Sequence, residues 1–160
     1  MNLRLATVGD AGALAALHVA TWQAAYRGLI PQGYLDALDV AERAREWRRR
    51  LADPPPTAVV VVAEDAAGVQ GFVTVDTGVV RAIYVHPDHW STGTGRRLMD
   101  AGLDCLRAAG CTEAVLWVLA TNERARRFYA AAGWHPDGAV QIEDFDGVPL
   151  EELRYRRTLA

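Results

Sequence analysis

The stretch Val79–Met99, VVRAIYVHPDHWSTGTGRRLM, constrains this chain more than any other. Val79, Val80, Ile83, Tyr84 and Val85 are apolar, β-favouring residues. Pro87, which has no N–H to give to a ladder, ends them as a strand. Ser91-Thr92-Gly93-Thr94-Gly95 is a loop of small residues. From Arg96 onward the apolar positions Leu98, Met99, Leu103 and Leu106 recur at the spacing of a buried helical face. A strand, a glycine loop and a helix start leave several backbone N–H groups unpaired at the positive end of a helix dipole. Such a place binds phosphate. It is not a Walker loop, because no Lys-Ser or Lys-Thr pair follows the glycines and the chain contains no lysine. It is not the dinucleotide fingerprint either: the third glycine is missing, and Leu98 is too large for the close packing that glycine allows.

The flanking sequence bounds the fold. At 160 residues, 51% apolar, the chain reads as a single domain over 1–160. A net charge of −3 gives no basic excess, so nucleic acid is not an expected partner. Cys105 and Cys111 read as reduced thiols. The histidines do not fall at metal-ligand spacing, so no metal is expected. No signal peptide and no membrane-length apolar run is seen, which leads to the expectation of a soluble cytoplasmic protein.

Leu3–Ala6 reads as a first strand. Thr7-x-x-Asp10 resembles a capping box, opening a helix that carries Leu14, Leu17 and Thr21 on one face and runs to about Ala25. Gly28 is expected to break that helix and Pro31 to start a second, with Tyr34, Leu35 and Leu38 on its apolar edge. A third helical stretch carries Ala44, Trp47 and Leu51. The Arg48–Arg50 run reads as a solvated helix end. After the stiff Asp53-Pro54-Pro55-Pro56 loop come strands near 57–64, 69–76 and 79–86, the last two an antiparallel hairpin. The helix from about 95 stops at Gly110. Val115–Leu119 is a buried strand, Glu123 to about Ala132 a helix capped by Asn122, and two further strands follow Trp134 and Leu150. This is an α+β order.

Two motifs carry a family resemblance. Trp90-Ser91-Thr92-Gly93-Thr94-Gly95 resembles the pyrophosphate loop of the GNAT N-acetyltransferase superfamily, which reads Gln or Arg, two residues, Gly, one residue, Gly or Ala. The lead residue departs, being Trp90. Asn122–Trp134 (NERARRFYAAAGW) is similar to the family's second cofactor element. The resemblance spans nearly the whole chain. It implies a central mixed, mostly antiparallel sheet flanked by helices, with a splayed cleft for acetyl-CoA.

It also implies roles. Backbone groups of Ile83 and Val85 would meet the pantetheine arm, and Tyr84 between them is counted among the cofactor-binding residues. The segment Trp90, Ser91, Thr92, Gly93, Thr94, Gly95, Arg96 and Arg97 would hold the pyrophosphate, through the N–H groups from Gly93 to Arg97. Asn122 would bond the pantetheine. Tyr129 would be the general acid. The resemblance places Trp22, Tyr26 and Arg27 against the acceptor, an amine of a small molecule or peptide.

An alkylamine of pKa ~10.4 must lose a proton before it attacks. The family's strand Glu falls at Val79 here, which leaves Asp76, His86 and Glu143 as unranked bases. Glu143–Asp146 is an acidic turn able to attract a cation. A catalytically silent acyl-CoA-binding module is the alternative function, and a homodimer is left open.

Overall fold

The computed structural model describes residues 1–159. In chain order the elements are β1 (Asn2–Leu5), α1 (Ala11–Ala25), α2 (Gln32–Asp36), α3 (Val40–Ala52), β2 (Ala58–Asp65), β3 (Gly68–Asp76) and β4 (Val79–Val85). They continue with α4 (Thr94–Ala108), β5 (Glu113–Leu119), α5 (Glu123–Ala131), β6 (His135–Phe145) and β7 (Val148–Thr158). The strands form one seven-stranded sheet in the order β1-β2-β3-β4-β5-β7-β6. Neighbours are antiparallel except β4 and β5, which are parallel. No helix among the described residues is long and apolar enough to cross a membrane.

Local chemistry explains the element ends. Thr77 and Gly78 both have positive φ (42° and 77°), the conformation that closes a two-residue hairpin between β3 and β4. Asp39 accepts from the N–H groups of Ala41 (2.8 Å) and Glu42 (3.2 Å) and so caps α3. Past the end of α4, the N–H of Gly110 donates to Arg107 O and that of Cys111 to Leu106 O, a Schellman stop. At the start of the chain Asp10 accepts from Thr7 N–H at 2.7 Å and from both terminal nitrogens of Arg4 at 2.8 and 2.9 Å.

Two expected boundaries differ. Helix α1 ends at Ala25 with Tyr26 as its cap, so Gly28 (φ 79°) shapes the turn that follows and does not break the helix. Helix α2 is a single short turn and Leu38 lies beyond it. It still packs beside Leu35, Ile30, Leu119 and Phe145.

The period-two alternation of the strands feeds two cores. On one face Leu98, Met99, Leu103 and Leu106 of α4 meet Val61, Val73, Val75 and Leu116. Helix α5 adds Phe128 and Tyr129 to this layer. On the other face Leu14 and Leu17 of α1 and Trp47 of α3 meet Val62 and Phe72. The Trp47 and Phe72 rings stand edge to face at 5.1 Å.

The sheet is interrupted at its centre. The β4–β5 ladder has one register pair, Val79↔Val115. In the β3–β4 register Val75 faces Val80 and Thr74 faces Ala82, so Arg81 is an extra residue that bulges β4 at this point. A bulge bends a strand and raises its twist. Beyond it β4 runs away from β5, while β5 stays paired with β7 from Glu113 to Leu119.

Candidate active site

The splay of β4 from β5 opens a cavity of about 500 Å³, walled by Ile83 and Val85 on one side and by Leu116, Asn122, Phe128 and Tyr129 on the other. The backbone direction of β4 follows from one bond: His86 N–H donates to Gln70 O of β3 at 2.8 Å. In an antiparallel ladder the residues that point at one neighbour alternate. With His86 and Tyr84 turned to β3, the N–H and C=O groups of Ile83 and Val85 point into the cleft. The indole Nε1 of Trp90 agrees with this sense, donating to Val85 O at 2.8 Å.

At the mouth of the cleft Gly93 sits at φ 86° as the cap of α4, a conformation that favours glycine. Among the described residues the backbone N–H groups from Ser91 to Arg96 have no backbone or side-chain acceptor. These are the orphan donors of a helix start, gathered at the positive end of the α4 dipole. Gly95 lies against the Phe128 ring, where an added Cβ would stand 3.4 Å from two ring carbons. Trp90 is covered by Arg124, whose guanidinium carbon lies 3.4 Å from the ring centroid. The two cofactor motifs therefore touch at this stack.

Tyr129 enters from α5. Its ring is packed beside Trp134 and Tyr155 at 6.4 and 6.2 Å. Its hydroxyl makes no hydrogen bond among the described residues and lies on the cavity wall. Burial first, and then the nearby Tyr84 hydroxyl, pushes this phenol well above its ordinary pKa. It is therefore protonated throughout the neutral range. Tyr26 from α1 is raised as well, by burial and by Tyr84, Tyr129 and Glu152. A second cavity of about 260 Å³ continues on the α1 side, with Trp22, Glu143 and Phe145 in its wall.

The sequence model of the Acetyltransferase (GNAT) family matches residues 19–134. The chain belongs to the GNAT acetyltransferase family. It is 27% identical over 164 residues to YuaI, an uncharacterised N-acetyltransferase of Bacillus subtilis (strain 168), covering 96% of this chain and 90% of that protein. Among solved structures it is similar to a GCN5-related N-acetyltransferase from Rhodopseudomonas palustris (TM-score 0.82, 20% identity, 98% of this chain and 94% of that one). It is also similar to the PaiA N-acetyltransferase from Thermoplasma acidophilum in complex with coenzyme A (TM-score 0.73, 16% identity, 99% of each chain). With the family shown, the protein is an acetyl-CoA-dependent N-acetyltransferase with the GNAT fold.

The structure gathers most of the GNAT residues expected from the sequence on one cleft: Ile83, Val85, Trp90, Ser91, Gly93, Gly95, Arg96, Asn122, Tyr129 and Tyr26 all line it. The other expected residues are placed differently. Arg97 does not face the cleft: its N–H is already bonded to Gly93 O at 3.1 Å as the first full turn of α4 closes, and its side chain donates to Met1 O at 2.7 Å. Thr92 and Thr94 offer only their backbone. Their hydroxyls bond each other at 3.0 Å, and Thr92 also reaches His89 O at 2.6 Å. Tyr84 lends its side chain to the cavity wall, while its backbone is turned to β3. Arg27 is exposed and lines neither cavity, because α1 has already ended before it. Of the three candidate bases, Asp76 is engaged by Thr57 and Thr77 at the hairpin end, and His86 Nδ1 accepts from Asp88 N–H at 3.1 Å. Glu143 alone of the three lines a cavity.

Asn122 does both things its chemistry permits. Its Oδ1 accepts from Ala125 N–H at 3.2 Å, capping α5, and its side chain still borders the cleft. Sequence reasoning missed Thr21, Arg81, Trp117, Arg124 and Glu152, all of which line it. Arg124 carried a readable signal, being two residues past the capping Asn122. Glu152 carried none, because only the β5–β7 pairing brings it opposite Leu119.

Proposed function

We propose that this GNAT enzyme transfers the acetyl group of acetyl-CoA to a primary amine of a small molecule or peptide, by direct attack in a ternary complex. One observation carries the reading: an unpartnered phenol, Tyr129, stands on the wall of a cleft whose mouth ends in the free N–H groups of Ser91–Arg96. The complex of the similar PaiA enzyme with coenzyme A supports the cofactor.

The N–H groups from Gly93 to Arg96 would hold the pyrophosphate, each charge-assisted bond contributing ~1.5–3 kcal/mol. Ile83 and Val85 would pair with the pantetheine amides as an added strand does. The N–H of Val85 would polarise the thioester carbonyl. The amine nitrogen attacks the carbonyl carbon, a C–N bond forms, and the carbonyl electron pair moves onto oxygen. Collapse breaks the C–S bond. Tyr129 gives its proton to the leaving sulfur, and the proton lost from nitrogen returns to the phenolate through solvent. The net change is ammonium and acetyl-CoA to amide, CoA and one proton.

The test is thiol release from acetyl-CoA with a panel of primary amines, beside calorimetric titration with CoA. Amine-dependent release with CoA binding is expected. Binding without release from any amine would leave a silent acyl-CoA-binding module, and no binding would remove the cofactor assignment altogether.

A further inference from the structure

The splay leaves one arginine on the acceptor side of the cleft. Arg81 of β4 lines both the cleft and the second cavity of about 260 Å³, and it is the one cation among the described residues that line the second. We propose that Arg81 receives a carboxylate of the acceptor, so that the molecule acetylated is an amino acid, with amine and carboxylate on one small molecule. The inference rests on the acetyl transfer proposed above and narrows its acceptor.

The bulge in β4 puts the arginine there. Val80 faces Val75 and Ala82 faces Thr74, so Arg81 has no partner across the β3 ladder. Val80 belongs to the core under α4, and Ala82 packs with the core under α1. In a regular strand residues two apart share a face. The extra residue between these two is exposed and borders the gap between β4 and β5. Ile83, whose backbone would meet the pantetheine, comes two residues later, ~7 Å along an extended strand. Arg81 therefore stands past the cofactor edge of β4, on the side opposite the pyrophosphate loop.

No side chain among the described residues takes up this charge. Arg154 and Arg156 of β7 pair with Asp137, and Arg156 also with Glu113. At the loop end of the cleft Arg96 donates to Ala131 O and Arg124 covers Trp90. Asp76 is bonded by the Thr57 and Thr77 hydroxyls, which, with a smaller contribution from Arg81, hold its pKa below the ordinary value. Arg81 itself makes no hydrogen bond or ion pair among the described residues. A guanidinium presents a planar fork that meets a carboxylate at two points, one charge against one. A phosphate dianion would leave a charge unmatched. From the opposite bank Glu152 of β7 lines the same two spaces with the opposite sign. A molecule that bears both an ammonium and a carboxylate leaves neither bank unmatched, whereas a simple amine leaves Arg81 bare. Trp22, Trp117 and Phe145 in the wall of the second cavity offer apolar surface to the rest of such a molecule.

Calorimetry on the full chain, saturated with CoA, compares L-leucine and L-phenylalanine with their primary amides, which keep the shape and the amine and lose the anion. Each acid is expected to bind about tenfold more tightly than its amide. Arg81→Gln should bring the acid down to the amide, and Arg81→Lys, which has the charge without the fork, should keep only part of the gap. In thiol release from acetyl-CoA the loss in Arg81→Gln should fall on KM for the acid and not on kcat, a split that a merely structural role would not give. Amides that bind as well as the acids, no binding of either acid, or a gap that survives Arg81→Gln would each overturn the inference. Acids that bind with the expected gap and release no thiol would remove the transferase reading and leave the carboxylate site standing. Should the chain fail to bind CoA, the same titrations on the free chain still decide whether Arg81 takes the anion.

Discussion

Trp90 Nε1 donates to the carbonyl of Val85 at 2.8 Å, joining the end of β4 to the loop that precedes α4. A tryptophan thus stands where the GNAT pattern has Gln or Arg, and it works by fixing the loop and stacking under Arg124. One neutral hydrogen bond contributes about 0.5–1.5 kcal/mol and an exposed cation–π stack a similar amount. Trp90→Ala is therefore expected to weaken CoA binding about tenfold. Trp90→Phe, which keeps the stack and loses the donor, should cost about threefold. Calorimetry measures both, and an unchanged Kd in the alanine variant would remove the positioning role.

Tyr129→Phe keeps the ring against Trp134 and Tyr155 and deletes the proton. General acids contribute roughly 10²–10⁴ in rate. Turnover should fall in that range, with CoA affinity and melting temperature near wild type. A variant that turns over normally would show that solvent protonates the thiolate.

Gly93 at φ 86° has open space where a side-chain carbon would stand, so the cost of Gly93→Ala is purely conformational. The left-handed region costs an L-residue about 1–2 kcal/mol. Urea unfolding should show a loss of that size. A neutral result would mean that the loop relaxes to another turn.

His18 lies among the rings of Trp22, Trp47, Phe72 and Tyr84, and neither ring nitrogen has a partner. Burial, reinforced by Arg43 and Arg50, lowers its pKa from 6.5 to about 4. Above pH 6.5 it is neutral folded and unfolded, and contributes no pH dependence. As pH falls from 6.5 to 4 the unfolded chain takes the proton and the folded chain does not, so stability drops by up to about 3 kcal/mol. The wild-type stability should fall over this window more steeply than that of His18→Phe. Parallel curves would show that the ring is protonated within the fold.

Local features were legible along the chain: the end of β4 at Pro87, the αL glycine that opens α4, the stop at Gly110, the cap at Asn122 and the phenol two turns later. Each is set by the conformational limits of one residue or by apolar spacing along one element, and neither needs a distant partner. What those elements enclose was not legible, because it depends on packing between them. The bulge at Arg81 and the one-pair ladder between β4 and β5 open the cleft, and both rest on the register between strands and not on any one segment. The pairing of β5 with β7 carries Glu152 to the cleft wall. Side-chain direction in a sheet flips with every residue of register, so no reading along one strand can fix which face a lone carboxylate will serve.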